Sequence, residues 1–154
     1  KGGEQMEKRQ RILPDEWLFC VICAAAAGIA GNFLIRILPW PAFMLESFRP
    51  AAETSVRGGS AFLAAALLAG PLAEEAVFRS GIYGFLRPRL GTRASAFCSA
   101  LAFGLYHGNW IQGIYGFMMG ILLAWGYERS RYRKYAVVVL MHGAANLAAL
   151  AVFG

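Results

Sequence analysis

Long apolar runs separated by short polar patches dominate the chain. The first run covers 17–38, is rich in alanine, and holds Asn32 and Arg36 near its far end. Pro39 and Pro41 are expected to stop it, because proline lacks a backbone donor and clashes with the preceding turn. Residues 39–57 mix Trp40, Phe43 and Phe48 with Glu46, Arg49, Glu53 and Arg57. That pattern predicts an interfacial loop or a short surface helix. A second helix is expected from about 58, through Gly70-Pro71, to about 86, just before Pro88. Further helices are expected at 94–107, 110–127 and 135–153. Crossing a bilayer takes about 20 residues. The 94–107 segment is short for that, so it either lies buried among the others or extends back through Gly91. The predicted fold class is all-α: a polytopic transmembrane bundle of about five membrane helices with a core of four. Residues 1–57 would form a tail, the first membrane helix and an interfacial loop. Residues 58–154 would form the core.

Composition supports the membrane reading. The chain is 58% hydrophobic and 16% charged, whereas soluble domains lie near half apolar and about a quarter charged. A net charge of +6 would suggest nucleic acid as partner in a soluble protein. Here the cations flank the apolar runs, so membrane lipid is the expected partner and nucleic acid is not. Lys8, Arg9 and Arg11 precede the first run. Arg87, Arg89 and Arg93 lie between the second and third, and Arg129, Arg131, Arg133 and Lys134 between the last two. With five crossings all three clusters fall on one side. Cytoplasmic loops carry the positive excess, which predicts a multi-pass cell-membrane protein with a cytoplasmic N-terminus and the C-terminus outside. No cleavable signal peptide is expected, since the first run is too long. Cys20, Cys23 and Cys98 all lie in apolar runs and imply neither a disulfide nor a redox pair.

The chemistry lies in ionisable groups placed inside those runs. Glu74, Glu75 and Arg79 follow Leu-Leu-Ala-Gly-Pro-Leu-Ala, His107 follows Ala-Phe-Gly-Leu-Tyr, and His142 and Asn146 interrupt the last run. A charge at the bilayer centre costs several kcal/mol, so such groups face one another or a wet cavity. Glu75 and Arg79 stand four apart, and so do His142 and Asn146, and Phe103 and His107; groups at that spacing share a helix face. Glu74 points about 100° away from Glu75, so Arg79 most simply neutralises Glu75 and leaves Glu74 for chemistry. At about 1.5 Å rise per residue, Glu74 lies about 20 Å from Arg87 and His107 about 21 Å from Arg93. His142 and Asn146 lie about 12 and 18 Å from Lys134. These depths allow one shared site. A structural reading of Glu75 and Arg79 as a buried helix lock stands beside the functional one. Gly104, Gly108, Gly113, Gly116 and Gly120 read as close-packing positions.

In this order the motifs resemble the CAAX protease and bacteriocin-processing enzyme (CPBP/Abi) family. Glu74-Glu75-Ala76-Val77-Phe78-Arg79 matches E-E-x-x-x-R, Phe103 to His107 matches F-x-x-x-H, and His142 to Asn146 matches H-x-x-x-N. The likeness covers about residues 58–153. Ser80 departs from it, standing where relatives usually carry glycine. The resemblance implies an all-helical, glutamate-dependent intramembrane endopeptidase without a metal cofactor. By that resemblance Glu74 and His107 would activate the attacking water, His142 and Asn146 would bind the oxyanion, and Glu75 and Arg79 would support the site. Some members of the family act in bacteriocin immunity or in regulating membrane kinases without clear proteolysis.

The residues agree with that assignment on chemical grounds. Hydrolysis needs an activated water, a stabilised oxyanion and a proton for the leaving amine. Ser80 and Ser99 lack the partners of a nucleophile. Two alternatives remain at this point. Glu74, His107 and His142 have the ligand types of a His₂Glu zinc site, although H-E-x-x-H is absent. A non-catalytic membrane protein of the same fold is the other. A transporter is disfavoured because no duplicated half is visible. The expected substrate is a membrane-associated protein or peptide: a prenylated C-terminus, a leader peptide or a bacteriocin precursor.

Overall fold

The computed structural model describes residues 12–153, and among these every regular element is helical. The cations Lys8, Arg9 and Arg11 and the tail that carries them lie outside the described residues.

Helix α1 spans Trp17–Ile37. It ends where expected, with Leu38 extended ahead of Pro39. Helix α2 spans Ala42–Arg57, with Pro41 as its N-cap residue, and is the surface helix that the mixed composition suggested. It packs on α6 (Trp110–Arg129). Phe43 meets Trp110 edge-on at 6.3 Å, and the Trp110 backbone N–H donates to Ser47 Oγ at 3.5 Å.

The second predicted helix is longer and less regular than its sequence suggested. It begins as α3 (Gly59–Ala64), widens into a π segment π1 (Ala65–Ala69), and returns to α4 (Gly70–Glu75). It widens again into π2 (Ala76–Tyr83) before α5 (Gly84–Tyr106). The expected stop before Pro88 does not occur; Pro88 lies inside α5. The chain turns instead at Gly91, whose φ of 74° and ψ of 175° are open to glycine without steric cost. The third predicted helix is therefore the part of α5 beyond Gly91, ending at Tyr106. Gly108, at φ 68°, makes the next turn. Asn109 then caps α6, its Oδ1 accepting the Gln112 backbone N–H at 2.9 Å. Helix α7 spans Lys134–Phe153.

Among the described residues three helical stretches are long and apolar enough to cross a membrane: Trp17–Ile37, Gly59–Tyr106 and Lys134–Phe153. Their outer faces carry exposed Leu18, Phe19, Ile22, Phe33, Leu68 and Leu147, apolar surface that a soluble monomer would not leave to water. The chain is a helical membrane bundle.

Its core lies where α1, α6 and α7 meet, around Cys20, Ala24, Met119, Leu123, Val137, Val138, Met141 and Ala145. The close approaches are built from small residues. A Cβ on Gly28 would stand 2.5 Å from the Ala145 carbonyl oxygen, so α1 and α7 touch backbone to backbone. Gly104, Gly113, Gly116 and Gly120 do the same between α5 and α6. Without a hydrophobic drive between helices in lipid, such contact is what holds them. At one end of the bundle Arg36 Nη2 donates to the Phe153 carbonyl at 2.6 Å, which ties α1 to the last turn of α7.

Candidate active site

Glu74 and Glu75 sit at the end of α4, between the two π segments. A π turn is rare and often marks a functional site. The i, i+4 pairing expected of Glu75 and Arg79 survives the widening: Arg79 Nε lies 3.2 Å from Glu75 Oε2, and both side chains are wholly buried. The guanidinium also lies 4.5 Å over the Phe103 ring, a contact that favours a desolvated cation.

Glu75 has a second partner that spacing could not show. Its Oε1 accepts from His142 Nδ1 at 2.8 Å, across 67 residues of sequence. A carboxylate can only accept, so the proton resides on Nδ1. His142 Nε2 is then turned toward Glu74, 3.7 Å from its Oε2. That is too long for a hydrogen bond. Glu74 keeps part of its surface open, and its other oxygen folds back over Gly70, where a Cβ would come within 3.6 Å. The two adjacent carboxylates thus meet the two nitrogens of one imidazole, one bonded and buried, the other unbonded and partly exposed.

His107 caps the end of α5. Its Nδ1 bonds the Phe103 carbonyl at 2.9 Å. A carbonyl accepts, so Nδ1 carries the proton and Nε2 is left with its lone pair. Gly116 of α6 makes room for the ring: a Cβ there would stand 3.2 Å from Nδ1. Both imidazoles meet Phe103 edge-on, His107 at 4.9 Å and His142 at 5.7 Å between ring centres. Phe103 is therefore the hub about which Arg79, His107 and His142 are arranged. The sequence offered it only as the first letter of F-x-x-x-H.

Asn146 lies one turn beyond His142 and donates through Nδ2 to the Ala66 carbonyl of π1 at 2.8 Å. An amide has two N–H groups, so one remains. Ser99, set aside as a nucleophile, is buried and donates to the Phe78 carbonyl of π2 at 2.6 Å. It stands four residues before Phe103 and eight before His107, a spacing that could have marked it as facing the site.

Among the described residues no three His, Cys, Asp or Glu side chains gather as a metal-ligand set.

No curated protein and no solved structure matches the chain. A family model does match, over residues 57–148, which is more than half of the sequence. That stretch runs from the end of α2 into α7 and holds Glu74, Glu75, Arg79, His107, His142 and Asn146. The chain belongs to the type II CAAX prenyl endopeptidase Rce1-like family, a family of proteases.

Proposed function

We propose that this protein hydrolyses a peptide bond of a membrane-associated protein or peptide by glutamate-dependent, metal-independent catalysis. The observation that carries this reading is the contrast between two neighbouring carboxylates. Glu75 is committed to Arg79 and His142, while Glu74 has no hydrogen bond to either and stays partly open beside His142 Nε2.

In this mechanism Glu74 takes a proton from water, and His107 orients that water through its free Nε2 lone pair. The hydroxide adds to the scissile carbonyl carbon. His142, in its doubly protonated form between Glu75 and Glu74, presents Nε2–H to the oxyanion, and the second Asn146 N–H assists. Glu74 then returns its proton to the leaving amine as the C–N bond breaks. Each donor acts in a site from which water is largely excluded, where hydrogen bonds to developing charge count most. Glu75 and Arg79 hold His142 in register and touch no substrate.

The family's description names prenylated CAAX termini, one of the membrane-bound substrate classes open to this chain. The basic clusters support five crossings with the N-terminus in the cytoplasm and the C-terminus outside. Terminal proteomics on membranes holding the wild-type protein or Glu74→Gln tests the activity. A new peptide terminus that appears only with intact Glu74 is expected. Identical termini in both would point instead to a non-catalytic protein of the same fold.

A further inference from the structure

Ser99 has no part in the reaction, yet among the described residues its hydroxyl makes the one side-chain hydrogen bond to the backbone of π2 from a neighbouring helix. It is wholly buried and donates to the Phe78 carbonyl at 2.6 Å, reaching from α5 across 21 residues of sequence. Phe78 is the residue before Arg79. Its ring is also held on α5, 5.1 Å from Phe103 and 5.5 Å from Tyr106. Phe78 is thus fixed to α5 by its backbone and by its ring.

The register of π2 matters because a π turn is a local rearrangement of an α-helix, with a competing geometry close by. The Gly84 N–H reaches back five residues to the Arg79 carbonyl, the π spacing. Reverting to α geometry would turn Arg79 relative to Glu75. In an apolar interior no water replaces a lost carbonyl partner, so a hydroxyl aimed at that carbonyl discriminates strongly between the two arrangements.

We propose that Ser99 is a positioning residue: by holding the Phe78 carbonyl it fixes π2 so that Arg79 pairs with Glu75, and Glu75 in turn holds Nδ1 of His142. The chain of contacts is a hydrogen bond from Ser99 to Phe78, an ion pair between Arg79 and Glu75, and a hydrogen bond between Glu75 and His142, all among buried residues. Ser99 therefore acts on an imidazole that it does not touch. This deepens the catalytic reading above in its consequence for rate, but the geometric claim is independent of whether any substrate is cleaved.

The test uses the full chain in nanodiscs with ¹⁵N-labelled histidine. The chain has two histidines, so the spectrum holds two imidazoles, assigned with His107→Gln. In the wild type, His142 Nδ1–H should give a slowly exchanging resonance characteristic of a bond to carboxylate. Ser99→Ala should shift that resonance or broaden it away while leaving that of His107, which is anchored on the Phe103 carbonyl. Ser99→Thr, which keeps the hydroxyl, should restore it. Ser95 is buried one turn earlier on α5, with no hydrogen-bond partner for its hydroxyl among the described residues. Ser95→Ala should leave both imidazoles unchanged. If Ser99→Ala does not fold, Ser99→Cys is read in its place, with its weaker donor expected to give a smaller displacement in the same direction. An unmoved His142 resonance in the folded Ser99 variant overturns the proposal. So does an equal shift from Ser95→Ala, which would show general packing on α5 rather than the Phe78 bond. Loss of cleavage in no variant, with the resonance moved as described, would count against the catalytic reading and not against the role of Ser99.

Discussion

Glu75 is ion-paired with Arg79 one turn along the same helix and hydrogen-bonded to His142 on another, through different carboxylate oxygens, at 3.2 and 2.8 Å. Removing either neighbour leaves a charge in a low-dielectric interior. Breaking one partner of a buried pair typically costs about 3–5 kcal/mol. Glu75→Gln and Arg79→Ala should therefore melt early in detergent or express poorly. Glu74→Gln should melt near the wild type and lose cleavage, because no hydrogen bond to Arg79 or His142 depends on that carboxylate. Thermal melts with a substrate assay on the three purified variants check this. An equal loss of stability in Glu74→Gln would defeat the division of labour.

That pairing also shows what could be read from the sequence. The i, i+4 spacing exposed Glu75–Arg79, and the depth argument put Glu74 and His142 at depths that allow one shared site. The bond from Glu75 to His142 was invisible, because nothing in local periodicity relates residues 67 apart. The π segments were equally hidden: a widened turn leaves the alanine and leucine pattern of 65–83 unchanged. Pro88 misled for a related reason. Helix termination by proline is a tendency, and here the chain reserves its turn for Gly91, where the dihedral angles require it.

Gly116 and Gly120 should differ in what they lose. A Cβ on Gly116 would press on His107 Nδ1 at 3.2 Å, a ring that can move. A Cβ on Gly120 would meet the Ala100 Cα at 2.9 Å, backbone that cannot. Overpacking of this kind costs about 1–3 kcal/mol, and Gly120→Ala should fall at the upper end. Gly116→Ala should keep more of its stability and lose more of its activity. Melting temperature and cleavage rate measured side by side would show the reversal; parallel losses in both variants would argue against it.

At Gly91 the cost should be conformational alone. A Cβ there meets nothing within 4 Å, but φ is +74°. Gly91→Ala should destabilise by about 1–3 kcal/mol, the cost of a side chain in a region of φ and ψ that glycine alone normally adopts. Gly91→Asn should cost as much, because asparagine tolerates positive φ only near ψ of about +47°, far from the 175° here. Equal melting temperatures for Gly91→Ala and the wild type would mean that the turn re-forms elsewhere.

Orientation is open to direct measurement. Reporter fusions at residues 50, 109 and 154 should read as outside, and those at 90 and 131 as cytoplasmic. A cytoplasmic reading at 109 and 154 would reverse the assignment drawn from the basic clusters.

The two widened turns also make this stretch intolerant of changes in length. Each residue of an α-helix advances the chain by about 100° around its axis. A residue inserted within 76–83, where the wide turns already hold more residues than an α-helix would, finds no slack to absorb it, and everything downstream would swing by roughly that angle. Tyr83 and Arg87 would then face away from Glu128, which they now hold at 2.6 and 2.8 Å. Arg79 would also leave its place over Phe103. A point substitution in this stretch removes one contact, whereas a single-codon insertion would put the helix out of phase with both of its neighbours.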